Sequence, residues 1–346
     1  MLALGGASTG YAHTLVEPGS REKQNQSDQA VLYQLFERMI SAMKRQNYSG
    51  RYFRVRGDQI EVMELTQRHI NGVHHEYLRS LNGTPKIIRR VGSDCECIWP
   101  EQGEALVGPF PQITSRLSGS RFAGLNKQAP YQLIELGRYR IAGHYCQQIA
   151  VVPDDELRYG YKVCIGEEEP LLLRMSIYER QGTPIEHNQF SHIIIDSHQM
   201  IATVNESDLF LLGAERLQEE FDVVTLSNQP KVADRIEKPR FGIHNPPKGF
   251  EIRSHTRREN PQAQQTFEHI VVSDGLATVS LFIEEQSRST KRSQRMLEPG
   301  VHMAQREFES MHITAIGDVP QKTVNQLIES VAVSYTHLTL PTIYSV

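Results

Sequence analysis

Short segments rich in β-branched and aromatic residues follow one another from Gly50 onward, separated by residues typical of tight turns. In one example, Gly57-Asp58 separates residues 51–55 from 60–65. Glycine and asparagine or aspartate tolerate the positive φ angles of two-residue turns, so such pairs predict β-hairpins. The region 50–196 is therefore predicted to be one run of antiparallel strands forming a large curved sheet or partial barrel. Its further predicted strands are 73–80, 86–91, 139–152, 158–165, 171–179 and 185–195.

An amphipathic helix is predicted just before this sheet, over residues 27–46. Ser27 can cap its start, and its apolar residues recur at intervals of three and four, which places them on one stripe. These residues are Leu32, Leu35, Phe36, Met39, Ile40 and Met43. The stripe favours packing in the core of the protein over a helix that lies on a membrane or a partner. Residues 109–130 are rich in Gly, Ser and Pro, and predict a loop or short helices over the mouth of the barrel.

A second, smaller unit is predicted from residue 241. Residues 208–221 suggest a short helix, and 222–239 are polar and irregular, as in an interdomain linker. Beyond them the pattern predicts five strands and a helix at 320–330, in which Pro320 suits the first turn. The expected fold is a small α+β domain, with strands at 250–253, 266–273, 276–284, 301–308 and 312–316.

Both ends of the chain are predicted to lie outside the fold. Residues 1–12 are small and apolar and resemble the remnant of a truncated export signal, with an ordinary flexible N-terminus as the alternative. Residues 333–346 resemble a translated sequencing adapter, so we exclude them from the predicted fold, with a genuine C-terminal strand as the alternative.

Charge and hydropathy exclude two classes of partner or location. The formal net charge is -4 over 346 residues, so nothing in the overall charge predicts nucleic-acid binding. No run of 18 apolar residues occurs, so the sequence predicts no membrane-spanning helix.

The four cysteines predict one disulfide at most. A hairpin centred on Asp155 would place Cys146 and Cys164 directly opposite each other, where they could form a disulfide in an oxidising compartment or remain two buried thiols. Cys95 and Cys97 lack further ligands at zinc spacing. The histidines, including His74-His75, give no ligand set either, so no metal site is predicted.

No catalytic signature is present. Within the predicted fold there is no Gly-x-Ser-x-Gly, no P-loop and no dinucleotide-binding glycine pattern, and Ser273-Asp274-Gly275 reads as a hairpin turn. We therefore predict a protein that is not an enzyme and has no cofactor.

One basic run is either a solvated turn or a site for an anionic ligand, such as lipid headgroups or an acidic peptide. Its residues are Arg288, Lys291, Arg292 and Arg295.

Several motifs resemble the RseB/MucB family in the same order along the chain. The opening helix ends in Asn47-Tyr48-Ser49-Gly50. Further matches are 76–89, 140–143, 153–154 and 158–161, then 268–283 and 317–320. The sequence departs from the family at Phe241 and at 245–250, where a Trp and a Leu-Pro pair are expected.

The resemblance implies an α+β fold, with an open antiparallel β-barrel plugged by helices, similar to lipoprotein carriers, followed by a smaller α+β domain. Taken together with the sequence patterns, the predicted divisions are a signal remnant at 1–26, the half-barrel at 27–205, a linker at 206–239, the second domain at 240–332 and a non-native tail at 333–346.

The resemblance also implies a periplasmic regulator that binds the periplasmic domain of an RseA/MucA-like anti-sigma factor and protects it from regulatory proteolysis. Lipid or lipopolysaccharide is expected to release the regulator from the anti-sigma factor. The alternative is a periplasmic carrier of lipid or lipoprotein, and homodimerisation is left open. Motif matches place partner binding at Arg158, Tyr159, Tyr161, Ser273, Asp274 and Gly275. A lipid cavity is predicted at Leu35, Phe36, Met39, Met43 and Tyr52.

Overall fold

The computed structural model describes residues 26–109, 117, 119–195, 204–225, 240–260, 265–285, 293–308 and 310–333. They divide into two compact units near residue 230, except that residues 275–277 and 298–300 group with the first unit. Residues 1–25 of the N-terminal remnant, all of the predicted tail except Val333, and the linker residues 226–239 lie outside the described residues.

The first unit consists of helix α1 and a twelve-stranded sheet. The sheet order is β12-β6-β5-β4-β3-β2-β1-β11-β10-β9-β8-β7, and its two edge strands do not pair with each other. The predicted open antiparallel sheet is thus confirmed, except that β12 pairs with β6 in parallel. The elements are α1 (Gln26–Arg45), β1 (Tyr48–Arg56), β2 (Gln59–Ile70), β3 (Val73–Ser80), β4 (Ile87–Val91), β5 (Asp94–Trp99), β6 (Glu104–Pro109), β7 (Tyr131–Ile141), β8 (His144–Pro153), β9 (Gly160–Gly166), β10 (Leu172–Tyr178), β11 (Pro184–Ile195), α2 (Ala214–Leu217) and β12 (Asp222–Thr225).

The predicted single strand at 139–152 is wrong, because the chain turns within it. Ala142 and Gly143 both have positive φ, at 48° and 90°, and they form the two-residue turn between β7 and β8. Alanine rarely adopts this conformation, so Ala142-Gly143 carries a weaker turn signal than Asn-Gly.

Part of the predicted linker belongs to the first unit. Residues 206–209 form a single 3-10 turn, α2 has only four residues, and β12 joins the sheet. Leu209 and Leu217 are buried against strands of the sheet. This segment was misjudged because its apolar residues are few and widely spaced, although they fill specific positions on the sheet.

The second unit has a six-stranded antiparallel sheet in the order β14-β15-β16-β19-β18-β17, and helix α3 packs on β18 and β19. A separate two-stranded sheet joins β13 to β20. Val333, assigned by the sequence to the non-native tail, pairs with Phe241 in this small sheet. The elements are β13 (Phe241–Ile243), β14 (Glu251–Asn260), β15 (Gln265–Ser273), β16 (Thr278–Glu285), β17 (Ser293–Glu298), β18 (Val301–Phe308), β19 (Met311–Gly317), α3 (Gln321–Glu329) and β20 (Val331–Val333).

Candidate functional site

The apolar stripe of α1 packs on one face of the first sheet. All five residues predicted to line a lipid cavity are buried in one apolar cluster: Leu35, Phe36, Met39, Met43 and Tyr52. The ring of Phe36 lies 5.2 Å from that of Phe122, centroid to centroid. These side chains pack as a core, so their role in lipid binding stays a prediction that would require α1 to move.

The Asn47-Tyr48-Ser49-Gly50 motif fixes the junction between α1 and the sheet. The Asn47 side-chain oxygen accepts a hydrogen bond from the backbone N–H of His69 at 2.8 Å. Gly50 lies against Phe190, because a Cβ there would be 2.7 Å from the phenyl ring and 2.5 Å from the carbonyl oxygen of His192. The motif therefore supplies a side-chain acceptor and a close approach of two strands, which explains these residue types physically.

A buried polar row crosses the same face of the sheet beyond the motif. It contains Tyr48, Gln67, Glu76, Arg90 and Cys95, which are register partners on β1 to β5. Gln67 donates to the carbonyl oxygens of Met43 (2.6 Å) and Gln46 (3.0 Å), at the end of α1. Burial raises the pKa of Tyr48 well above its usual value, and Glu76 and Tyr52 raise it further. The row was missed because its members are far apart in sequence.

The motif-matched partner residues of the first unit are buried. Arg158, at the entrance to β9, donates a hydrogen bond to Asp155. Tyr161 packs edge-on against Phe122 with ring centroids 5.6 Å apart, and Tyr159 is buried in the same cluster. These residues shape the core under α1, and direct contact of any of them with a partner stays a prediction.

The other motif-matched residues, Ser273, Asp274 and Gly275, occupy a turn. Ser273 ends β15, Asp274 and Gly275 follow it, and β16 begins at Thr278. Gly275 has a φ of 107°, which supports the predicted hairpin turn. Ser273 and Asp274 are buried. Partner binding by the turn remains a prediction.

A disulfide joins Cys146 on β8 to Cys164 on β9, with Cα atoms 5.5 Å apart. The predicted register is wrong by two residues, because Cys146 pairs with Gly166 and Cys164 with Gln148. The two cysteines are therefore diagonal neighbours across the strands rather than directly opposite.

Cys95 and Cys97 remain buried thiols with sulfur atoms 3.8 Å apart. The hydrogen bond between Cys95 and Cys97 raises the pKa of Cys95, and burial raises it further. Both side chains belong to the main apolar cluster.

The segment 204–213, which we call the strap, crosses the opposite face of the sheet from α1. Both oxygens of the fully buried Glu96 accept backbone hydrogen bonds from it, from Leu212 at 2.9 Å and from Gly213 at 2.7 Å. His75 donates from Nδ1 to the carbonyl oxygen of Leu209 at 2.9 Å. No sequence pattern predicted these contacts, since Glu96 resembles any solvent-facing strand residue between two cysteines.

The basic run is only partly within the described residues. Arg288, Lys291 and Arg292 lie outside them, and Arg295 lies in β17, where the side chain is not described. Anionic-ligand binding by this run therefore stays a prediction.

Two family models match this chain in succession. The MucB/RseB N-terminal domain matches residues 32–212, and the MucB/RseB C-terminal domain matches residues 235–332. The chain belongs to the MucB/RseB family. The strap up to Leu212 lies within the match to the family's N-terminal domain, which agrees with its packing on the first sheet.

Curated relatives of this MucB/RseB chain are similar over most of its length. The sigma-E factor regulatory protein RseB of Haemophilus influenzae is 23% identical over 312 residues, covering 86% of this chain and 90% of the relative. The sigma factor AlgU regulatory protein MucB of Pseudomonas aeruginosa is 23% identical over 299 residues, covering 85% of this chain and 88% of the relative. The predicted resemblance is confirmed across both units.

Two solved structures share the fold of this MucB/RseB chain. MucB in complex with MucA(peri) has a TM-score of 0.64 at 21% identity, and covers 88% of this chain and 99% of that one. MucB alone has a TM-score of 0.56 at 22% identity, and covers 88% of this chain and 98% of that one.

Among the helices within the described residues, none is both long and apolar enough to span a membrane.

Proposed function

We propose that this chain is a periplasmic regulator that binds the periplasmic region of a membrane anti-sigma factor and shields it from regulatory proteolysis. The observation that carries the proposal is the match to MucB in complex with MucA(peri), which extends over 88% of this chain and includes both units. The names of the curated relatives, sigma-E and AlgU regulatory proteins, support the same role.

The proposed action is steric and needs no catalytic group. A regulator that occupies a cleavage-prone segment slows its proteolysis by the free energy of binding alone. The relatives are regulatory proteins by name. We therefore propose that this chain acts without chemistry of its own.

Carriage of lipid or lipoprotein is the competing function. A carrier needs an open apolar cavity. In this chain the side chains predicted to line one are packed beneath α1 with Phe122. This packing favours the regulator. Release by a lipid signal would then require the ligand to bind a conformation in which α1 has moved, and to bind it more tightly than the packed one.

The buried motif residues suggest a positioning role for Arg158. Because this side chain is buried and bonded to Asp155, it would hold the entrance to β9 in place for the partner-binding form. Arg158→Gln should weaken binding, whereas the exposed Arg180→Gln, which loses only a 3.6 Å pair with Glu156, should not. Melting curves of both variants separate a binding defect from unfolding.

The central experiment measures binding and protection together. The full chain is titrated onto the immobilised periplasmic segment of the anti-sigma factor, and a scrambled segment is the control. Cleavage of the segment by its regulatory protease is then followed with and without the chain. Specific saturable binding with slower cleavage is expected. Binding to neither segment, combined with transfer of labelled lipid between vesicles, would instead establish the carrier.

A further inference from the structure

Two histidines face each other across the hairpin of β2 and β3. Asn71 and Gly72 both have positive φ and form its two-residue turn, which pairs Ile70 with Val73 and then His69 with His74. The backbone N–H of His69 bonds to Asn47 and the carbonyl oxygen of His74 accepts from Gly92, so these groups point away from the partner strand. His69 and His74 are therefore a non-hydrogen-bonded pair, in which side chains lie closest.

The imidazole rings have the separation that a shared metal ion requires. Their centroids are 5.5 Å apart, and their planes meet at 49°. Two imidazoles bound to one tetrahedral Zn²⁺, with Zn–N bonds of about 2.0–2.1 Å, have centroids about 5 Å apart. The rings are too far apart and too tilted for stacking, and close enough for a small movement to bring both onto one ion.

Both rings are available as neutral ligands. Burial lowers the pKa of His69, with His75 lowering it further. Burial also lowers the pKa of His74 to about 4, with His69, Arg90 and His75 contributing. Metal binding requires an unprotonated imidazole nitrogen. The Nδ1 atom of His69 is buried and has no hydrogen-bond partner.

We propose that His69 and His74 form a two-histidine site for a divalent transition-metal ion such as Zn²⁺ or Cu²⁺. Among the described residues, no group of three or more His, Cys, Asp and Glu side chains could hold a metal ion, so water completes the coordination. The guanidinium of Arg90 is close enough to lower the pKa of His74, and the same field weakens cation binding. The site therefore binds an ion more weakly than a three-ligand centre.

An ion at this site would join two strands next to their turn. Because the ion binds the folded hairpin and not the extended chain, it stabilises the first unit by an amount that rises with the logarithm of the ion concentration above its Kd. This role does not depend on the proposed partner. Metal binding can therefore fail while the proposed function holds. Equally, the proposed function can fail while metal binding holds.

The test is a calorimetric titration of the full chain with Zn²⁺ alone. His69→Gln and His74→Gln are each expected to weaken the tightest site at least tenfold. His144→Gln, at the hairpin of β7 and β8, should leave it unchanged, because Ile141 and not a histidine lies opposite it. Cu²⁺ bound at one equivalent should show the electron-spin signature of two imidazole nitrogens. Unchanged melting curves in the metal-free variants exclude loss of the fold.

Identical Zn²⁺ titrations for wild type, His69→Gln and His74→Gln would overturn the proposal, as would a Cu²⁺ spectrum with fewer than two imidazole nitrogens.

Discussion

At the scale of single residues, buried charges are compensated by specific partners on neighbouring strands. Glu64 on β2 is fully buried and pairs with Arg51 at 3.1 Å and with Arg79 at 2.6 Å. The two arginines come from the flanking strands β1 and β3, and their side chains remain 43% and 31% exposed. The Glu64 carboxylate compensates the charges of both arginines. Its removal would leave these two guanidinium groups without that compensation, which destabilises the sheet.

Glu64→Gln should therefore lower the free energy of unfolding by about 1–3 kcal/mol, below the full cost of breaking a buried pair because water still reaches the arginines. Glu61→Gln is the matched control. Glu61 is half exposed and pairs with Arg54 at 3.0 Å, so its loss should cost less than about 1 kcal/mol. Urea denaturation measures both, and equal effects would contradict the assigned burial.

His74 predicts a pH dependence of stability. Its folded pKa is about 4, against about 6.5 in the unfolded chain, so on acidification the unfolded state takes up the proton first. The contribution of His74 to the free energy of unfolding is therefore complete above pH 6.5, where the ring is neutral in both states. This contribution is lost as the pH falls toward 4. In metal-free buffer, His74→Gln should flatten the stability curve between these values. His144→Gln should keep the wild-type slope, and a slope unaltered by His74→Gln would refute the assignment.

At the scale of elements, the sequence patterns located most strands but not all of their turns. Alternation and turn pairs such as Gly57-Asp58 predicted β1 to β4, although the prediction ended β2 at residue 65 instead of 70. Ala142-Gly143 hid the turn between β7 and β8. The strand β6 went unassigned. The disulfide was anticipated by pairing arithmetic, but a turn longer by two residues moved the register.

The disulfide should contribute about 2–4 kcal/mol to the stability of the first unit. Replacing Cys146 and Cys164 together by serine should reduce the free energy of unfolding by that amount. Thiol titration of the unfolded, oxidised wild type should detect two free thiols, Cys95 and Cys97, and four after reduction. Four thiols before reduction would show that the bond does not form.

The strap offers a second test at this scale. Glu96→Gln leaves one acceptor where the carboxylate has two, so the amides of Leu212 and Gly213 should lose protection from hydrogen exchange. We expect a cost of about 1–3 kcal/mol for the unmet hydrogen bond. Glu101→Gln, at an exposed position, is the control. Full protection of both amides in Glu96→Gln would mean that the strap is held by its apolar contacts alone.

At the scale of the whole molecule, two units follow one another as the motif order predicted, and family models match both. The predicted boundary was less accurate. Residues 206–225 were assigned to a linker, yet they complete the first sheet at the edge strand β12. Hydrophobic patterning predicts a domain from the many apolar residues of its core. It does not predict a peripheral segment such as 206–225, which adds only a few buried side chains.

The sequence alone determined the strand-rich first unit, the amphipathic α1, the hairpin at 273–275 and the family, because each depends on local periodicity, turn chemistry or motif order. Tertiary structure decided which distant residues meet: Glu96 with the strap, Gln67 with the end of α1, and the diagonal disulfide. The facing pair of His69 and His74 lies between the two cases. The Asn71-Gly72 turn implies it, but only the strand register makes it visible. Register depends on the packing of a whole sheet face, which no short stretch of sequence contains.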